Sequence, residues 1–123
     1  MVYVFGCTGM HLNKFGEFCF QYIIMVIIFW HVIWCVYSGD TDGRVPILST
    51  RYSLEELKLN VTKEWRAWFE GVEVGGWVEE YEGGLTFASV RGAGHQVPVF
   101  APQQALSLFS HFLLSQPLPS SPF

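Results

Sequence analysis

The sequence has little positive charge and no cluster of it. Its 123 residues include 7 Lys and Arg against 11 Asp and Glu, which gives a formal net charge of −4. The basic residues are scattered rather than gathered into a stripe: Lys14, Arg44, Arg51, Lys58, Lys63, Arg66 and Arg91. Because binding to phosphate backbones depends on clustered positive charge, the sequence predicts no nucleic-acid partner.

Cysteine is scarce and is not spaced for a metal. The 3 cysteines, Cys7, Cys19 and Cys35, lie in the first third, at spacings that match no zinc-binding pattern. Their odd number leaves at least one thiol outside any disulfide within the chain. We interpret them as buried apolar side chains, and we predict neither a metal site nor a cofactor.

Formal charge of either sign is almost absent from the beginning of the chain. Residues 1–38 carry only Lys14 and Glu17, whereas all the other charged residues lie beyond Gly39. What is abundant is apolar surface: 50% of the residues are hydrophobic and 17% are aromatic. This composition excludes a disordered chain, and the length allows one modest core.

A nearly continuous apolar run covers residues 18–37. Its length is about the 20 residues that span a bilayer as a helix, so a membrane span or signal anchor is one interpretation. A secretory signal is a second, although the apolar run is long for one. The third is that residues 32–37 form a buried strand of the folded domain, and that the residues before them are foreign to the fold. We favour the third, because the run ends directly in a polar loop that a folded site would need near its core.

Beyond this run, the hydrophobic pattern predicts a helix followed by strands. Residues 1–16 show no clear period and are expected to be irregular. Residues 49–58 are amphipathic and predict a short helix capped by Ser49 or Thr50. Residues 64–70 and 77–81 predict two strands. A glycine-containing turn at residues 82–84 and a strand at 85–90 follow, and the near-continuous burial of the latter suits a central parallel position.

A second helix is predicted near the end of the chain. Pro102 suits its first turn, and the apolar face at helical spacing consists of Ala105, Leu108, Phe109 and Phe112, widened by Leu106 and Leu113. The tryptophans at 65, 68 and 77 are interpreted as packing residues, and the acidic cluster at 79, 80 and 82 as a solvated face. Asn60 begins an Asn-Val-Thr triplet, which is a glycosylation acceptor if the chain enters the secretory pathway.

Two loops carry the residues that are suited to chemistry. Residues 38–46, Ser-Gly-Asp-Thr-Asp-Gly-Arg-Val-Pro, follow the first predicted strand, and residues 91–98, Arg-Gly-Ala-Gly-His-Gln-Val-Pro, follow the strand at 85–90. Parallel strands place such loops at one edge of a sheet, where α/β folds hold their sites. An aspartate there can orient the histidine as a general base, and the order Asp before His is that of the α/β-hydrolases.

Residues 36–46, 73–77 (Glu-Val-Gly-Gly-Trp) and 91–98 closely resemble the carboxy-terminal part of plant serine carboxypeptidases. The resemblance implies the C-terminal part of an α/β-hydrolase fold, incomplete, with parallel strands, a β-hairpin insertion and flanking helices. It implies that Asp42 is the aspartate of a catalytic triad, from the Gly-x-x-Asp-x-x-x-Pro pattern, and that His95 is the histidine. Gln96, beside His95, is expected to line the substrate pocket. Asp40 is expected either to stabilise the turn or to support the site through its neighbours, without a direct role.

The resemblance divides the chain into three segments. Residues 1–31 resemble nothing in the family, residues 32–119 correspond to the hydrolase domain, and residues 120–123 form a tail. The family's Gly-x-Ser-x-Gly elbow, which carries the nucleophile, does not occur in this sequence. We therefore expect the missing N-terminal half of the domain to be a partner and the chain alone to be inactive.

The resemblance further implies a peptide substrate, release of C-terminal residues, and a secreted or vacuolar location. Two alternatives stay open at this point. One is a serine carboxypeptidase-like acyltransferase that acts on glucose esters with the same aspartate and histidine. The other is a non-catalytic remnant that residues 18–37 anchor in a membrane.

Overall fold

A computed structural model describes residues 2–6, 22–28 and 31–123 of the chain. Cys7 and Cys19 lie outside the described residues. In chain order the elements are β1 (Val2–Gly6), β2 (Tyr22–Ile28), β3 (His31–Gly39), α1 (Ile47–Glu55), β4 (Val61–Glu70), β5 (Glu73–Tyr81), a 3₁₀ turn (Glu82–Gly84), β6 (Leu85–Val90), α2 (Val97–Phe100) and α3 (Pro102–Leu113).

The strands form one six-stranded sheet in the order β1-β2-β3-β6-β5-β4. Strands β3 and β6 are parallel, and every other neighbouring pair is antiparallel. A parallel partner cannot follow a tight turn and needs a crossover connection, which α1, β4 and β5 supply. The strand predicted at residues 85–90 therefore has the bounds and the parallel, central position that its apolar sequence indicated.

Both faces of the sheet are covered at β3 and β6. Alternate residues of β3 enter opposite cores, since successive side chains of a strand point to opposite faces: Cys35 and Tyr37 pack toward α3, and Val36 packs toward α1 with Leu54. Phe87 of β6 lies in the α1-side core and is fully buried. Burial on both faces is why β6 shows no polar-apolar alternation in the sequence.

The first helix begins earlier than its pattern predicted. It starts at Ile47, after Pro46, and ends at Glu55. The carbonyl of Pro46 accepts hydrogen bonds from the backbone N–H groups of Ser49 at 2.9 Å and Thr50 at 3.3 Å. The capping role predicted for Ser49 or Thr50 is therefore wrong: both lie inside the first turn, and no side chain caps the helix.

The C-terminal helix α3 begins at Pro102 as predicted and packs on the sheet through Leu108 and Phe112. Ala105, Phe109 and Leu113 are partly buried against the same core. Leu106 is 66% exposed and lies at the margin of this face, where it lines an apolar cavity together with Ala105 and Leu108.

The strand pair β4–β5 contains the tryptophans and the acidic cluster. Trp68 is fully buried and donates a hydrogen bond from Nε1 to the carbonyl of Ser89 at 3.0 Å. Trp65 stacks on Trp77 with ring centroids 6.4 Å apart. Their interpretation as packing residues fits these contacts.

Glu79 does not lie on a solvated face, so its prediction was wrong. It is 6% exposed and accepts a hydrogen bond from the Tyr81 hydroxyl at 2.5 Å. The Arg51 guanidinium lies 3.9 Å from the same carboxylate oxygen. Glu79 shares a face of β5 with Tyr81, which packs in the α1-side core, so its side chain does not meet solvent at this position.

The beginning of the chain contains strands where irregular structure was expected. Val2–Gly6 is a strand and pairs antiparallel with Tyr22–Ile28, which agrees with the β-branched and aromatic residues of the first segment. The residues that the structure describes within the apolar run 18–37 are strands, 22–28 and 31–37. No helix in the described part of the chain is long and apolar enough to cross a bilayer.

Candidate functional site

The site lies at the edge where β3 and β6 end together. The parallel register pairs Gly39 with Val90, so the loop after each strand starts at the same height. The backbone N–H of Asp40 donates to the carbonyl of Val90 at 3.0 Å, which extends the contact one residue beyond the strands. Residues 40–46 and 91–96 are called the Asp loop and the His loop below.

The two loops bring Asp42 and His95 into direct contact. Nδ1 of His95 lies 3.1 Å from Oδ2 of Asp42, although 53 residues separate them in the sequence. The Asp42 side chain is 1% exposed, whereas the His95 side chain is 31% exposed. The carboxylate is thus held inside the protein and the imidazole extends from it toward the surface.

Backbone donors fix the other oxygen of the Asp42 carboxylate. Oδ1 accepts hydrogen bonds from the N–H groups of Arg44 at 2.8 Å and Val45 at 3.2 Å. Burial alone would raise the pKa of Asp42, but the hydrogen bonds from Arg44, His95 and Val45 outweigh it and leave that pKa below its ordinary value. The carboxylate is therefore ionised at neutral pH.

An ionised carboxylate can only accept hydrogen bonds, so Nδ1 of His95 must be the nitrogen that carries the proton toward Asp42. In the neutral ring Nε2 is then the basic nitrogen. Fixing the tautomer in this way is what a buried aspartate does for a histidine that acts as a general base.

Several further contacts tie the two loops together. The Asp40 carboxylate accepts a hydrogen bond from the N–H of Gly92 at 2.7 Å. The carbonyl of Ala93 accepts from Thr41 twice, from the hydroxyl at 2.7 Å and from the backbone N–H at 3.0 Å. The side chain of Asp40, two residues before Asp42, therefore contacts the backbone of the His loop.

Glycine is required at two places in these loops. A Cβ atom on Gly39 would overlap the carbonyl oxygens of Ala93 and Gly94, which lie against it. Gly92 has a φ of +72°, in the left-handed region that side chains with a Cβ rarely adopt. Both glycines allow the loops to approach each other at the strand ends.

Gln96 does not contact the Asp42–His95 pair through any interaction that the structure shows. Its side chain is exposed, and its backbone carbonyl accepts from the N–H groups of Val99 and Phe100, which begins α2. An apolar cavity of about 330 Å³ lies between β3, β6 and α3. Pro98 lines this cavity and Gln96 does not, so its role in a substrate pocket stays a prediction.

The serines of the two strands are not placed to act as nucleophiles. Ser38 and Ser89 are each 1% exposed. The Ser89 hydroxyl accepts a hydrogen bond from the backbone N–H of Trp77 at 2.9 Å, and Ser38 contacts the carbonyl of Gly39 at 3.5 Å. Both serve the sheet rather than the site.

Two further predictions concern sites outside the loops. Asn60 is exposed and donates from Nδ2 to the Glu82 carboxylate at 2.9 Å, while the hydroxyl of Thr62 donates to the carbonyl of Glu80 at 3.0 Å. Cys35 is a free and buried thiol, whose burial raises its pKa to about 12. Within the described residues no three His, Cys, Asp or Glu side chains form a group that could hold a metal ion.

The sequence predicted the pairing of Asp42 with His95 but assigned no role to Thr41. The one indication in the sequence is its position between two acidic residues, in a loop that was predicted to carry the site. A hydroxyl that bonds the carbonyl of Ala93, 52 residues away, leaves no trace in a single sequence.

Comparison with known proteins identifies a family for the chain. The profile of the family described as serine carboxypeptidase matches residues 11–115. The match begins upstream of residue 32, and the predicted segment boundary there stays a prediction.

Relatives from Arabidopsis thaliana match about three quarters of the chain. The chain is 63% identical to Serine carboxypeptidase-like 35 over 91 residues, 74% of this chain and 19% of that protein. It is 58% identical to Serine carboxypeptidase-like 40 over 89 residues, 72% of this chain and 18% of that protein. With Serine carboxypeptidase 24 the identity is 54% over 89 residues, 72% of this chain and 19% of that protein.

The chain thus spans about a fifth of the length of the curated relatives it matches. The family profile, in contrast, covers well over half of this chain. The chain belongs to the serine carboxypeptidase family, whose fold is that of an α/β-hydrolase.

Proposed function

We propose that the chain supplies the aspartate and the histidine of a serine carboxypeptidase triad, Asp42 and His95, for releasing C-terminal residues from peptides. The observation that carries the proposal is the 3.1 Å contact between Nδ1 of His95 and Oδ2 of Asp42. It joins loops at the carboxyl ends of two parallel strands, where α/β enzymes hold their sites, in a chain that belongs to this family.

In such a triad His95 takes the proton of a serine hydroxyl at Nε2 as the serine oxygen attacks the scissile carbonyl. The imidazolium that forms is stabilised by the Asp42 carboxylate. His95 then returns the proton to the leaving amino acid, an acyl-enzyme remains, and a water molecule activated by the same nitrogen releases the peptide.

The nucleophile is the part that this sequence does not contain as a recognisable motif. No Gly-x-Ser-x-Gly sequence occurs among its 123 residues, and the serines of β3 and β6 are buried. We therefore propose that the chain represents the C-terminal part of the hydrolase domain, with β4 and β5 as a hairpin insertion. Its working partner is the polypeptide that carries the serine elbow.

A chimera provides the test. Residues 36–119 of this chain replace the matching stretch of Arabidopsis Serine carboxypeptidase 24, to which the chain is 54% identical, and hydrolysis of a blocked dipeptide is measured. We expect the chimera to hydrolyse the peptide. Asp42→Asn should lower kcat by on the order of 10⁴-fold, because the amide favours the wrong histidine tautomer.

The matched control is His111→Ala, which removes a histidine of α3 whose side chain bonds the carbonyl of Ser107. It should leave kcat within about twofold, the behaviour of a distant site. A folded chimera that is inactive, or one that loses no activity on His95→Ala, contradicts the proposal. Transfer of an acyl group from a glucose ester in place of hydrolysis would favour the acyltransferase alternative.

We further propose that the chain enters the secretory pathway, in an extracellular or vacuolar setting, and carries a glycan on Asn60. The support is the acceptor triplet at an exposed position between α1 and β4. Expression in a plant cell should give a product whose electrophoretic mobility increases on endoglycosidase treatment. Asn60→Gln should abolish that change, and a wild-type product insensitive to the enzyme would contradict the proposal.

A further inference from the structure

The Asp loop reaches the His loop with two side chains besides Asp42. The Asp40 carboxylate accepts from the N–H of Gly92 at 2.7 Å, and the Thr41 hydroxyl donates to the carbonyl of Ala93 at 2.7 Å. These partners lie on consecutive residues, three and two positions before His95. These two side-chain contacts are called the loop latch. The backbone N–H of Thr41 also donates to the carbonyl of Ala93, at 3.0 Å.

The latch acts where the chain has freedom to move. Gly92 adopts a left-handed φ of +72°. Because glycine has no Cβ, its backbone is less restricted than that of any other residue. Ala93, in contrast, is fully buried, so its position defines where the next two residues begin. Fixing the backbone at 92 and 93 therefore fixes the path of the chain into His95.

Asp42 is held independently of the latch. Its Oδ1 is bonded to N–H groups of its own loop, at Arg44 and Val45. The distance between Asp42 and His95 thus depends on how firmly the His loop is attached to the Asp loop. A hydrogen bond of 3.1 Å leaves little tolerance, since functional groups must be held within about 0.5 Å of their working geometry.

We infer that Asp40 and Thr41 are positioning residues, whose side chains hold residues 92 and 93 so that Nδ1 of His95 stays within hydrogen-bond distance of Asp42. The catalytic meaning of this inference rests on the proposed function, whereas the latch itself is a property of the folded chain. Neither residue touches substrate or the reacting atoms in this assignment. Both act through His95.

The chain offers matched variants for each half of the latch. Thr41→Val removes the hydroxyl and keeps the branched shape, while Thr41→Ser keeps the hydroxyl. Asp40→Ala removes the acceptor, while Asp40→Asn keeps an acceptor oxygen for the N–H of Gly92. Asp40 and Thr41 are exposed, so these substitutions open no cavity in the core.

The readout is nuclear magnetic resonance of the full chain, which observes the Asp42–His95 contact directly. In the wild type we expect a His95 Nδ1–H signal that is protected from exchange with solvent, and that Asp42→Asn removes. The double variant Asp40→Ala with Thr41→Val should lose the signal or exchange it at least tenfold faster. Thr41→Ser and Asp40→Asn should retain it.

A second readout separates positioning from general destabilisation. Loss of the latch should raise the pKa of the Asp42 carboxyl, followed by carbon-13 shifts, because its bond from His95 is lost while those from Arg44 and Val45 remain. The same double variant in the chimera should lower kcat by on the order of 10- to 100-fold with little change in KM.

The inference is overturned if the double variant keeps a protected Nδ1–H signal, whatever happens to its thermal stability. It is also overturned if the signal disappears equally in Thr41→Ser. If the wild-type chimera hydrolyses nothing, the proposed function fails, but the resonance measurements on the chain still decide whether the latch positions His95.

Discussion

The contact between Tyr81 and Glu79 gives a quantitative test of how the sheet is stabilised. Tyr81→Phe removes one oxygen atom and leaves the ring in the α1-side core, where Tyr81 packs with Val36 and Phe87. The lost contact is the 2.5 Å hydrogen bond to a carboxylate that is 6% exposed. Arg51, at 3.9 Å, is too far from the carboxylate for a good hydrogen bond.

The expected loss of unfolding free energy is about 2 kcal/mol, within the roughly 1.5–3 kcal/mol of a hydrogen bond to a charged group. The apolar term is close to zero, since the ring stays in place. This is a large share of the roughly 5–15 kcal/mol by which small domains are stable. Urea denaturation of the full chain, followed by tryptophan fluorescence, measures it as a lower midpoint at unchanged m-value.

The pH dependence of the stability difference between wild type and Tyr81→Phe gives an independent test. Burial, and then the bond to Glu79, raises the pKa of Tyr81 above its ordinary 10.0. A group whose pKa is raised in the folded state contributes its full stabilisation below the unfolded pKa, and loses it as the pH rises further. The difference between wild type and Tyr81→Phe should therefore be largest below pH 10 and shrink above it, by about 1.4 kcal/mol per pH unit at most.

A double-mutant cycle with Glu79→Gln isolates the pair. The coupling free energy should lie between about 0.5 and 3 kcal/mol, as for residues in direct contact. If Tyr81→Phe changes the unfolding free energy by less than about 0.5 kcal/mol, the size of an ordinary surface effect, then Glu79 does not depend on Tyr81 and the reasoning from burial is refuted.

Two further outcomes are expected at the site. Gly39→Ala should destabilise the chain by about 2 kcal/mol or more, the range of overpacked positions, since its Cβ would overlap the carbonyls of Ala93 and Gly94. The control in the same urea titration is Gly43→Ala, where a Cβ meets nothing within 4 Å. Equal losses of stability in the two variants would contradict the overlap. Asp42→Asn should reduce the loss of stability that acid causes. The lowered pKa of Asp42 stabilises the fold above the ordinary value of 3.8, and this stabilisation is lost as the pH falls through the folded pKa. An equal loss of stability with falling pH in variant and wild type would contradict this prediction.

The parts of the fold that a single sequence predicts are those where local pattern and tertiary environment agree. Strand β6 is mostly apolar because both of its faces are covered, and α3 shows its buried positions at helical spacing after Pro102. The loop residues Asp42 and His95 could be paired because parallel strands end at one edge, which is a property of sheets and not of these particular loops.

The failures come from contacts that sequence position does not encode. Helix α1 starts at Ile47, and the N–H of Ser49, from which a capping side chain would otherwise accept a hydrogen bond, already donates to the carbonyl of Pro46. A register shift between Trp68 and Phe69 interrupts the alternation of β4, as a β-bulge does. Alternation therefore could not assign Trp68 to the core, although it is fully buried.

Glu79 shows a different limit. An acidic residue beside other acidic residues predicts a solvated face, and that expectation is correct wherever one side of a strand meets water. Here Val78 enters the α3-side core and Tyr81 the α1-side core, so this end of β5 is covered on both sides. Tyr81 on the same strand and Arg51 of α1 supply the partners that a buried carboxylate needs.

Three structural features hold Asp42 and His95 together: the parallel register of β3 and β6, the glycine at 39, and the loop latch. None of these features involves a serine nucleophile. The contact should therefore form in the folded chain whether or not a nucleophile is present, whereas hydrolysis needs both. For this reason resonance measurements on the chain and peptide hydrolysis by the chimera report on different steps, and a failure of one leaves the other interpretable.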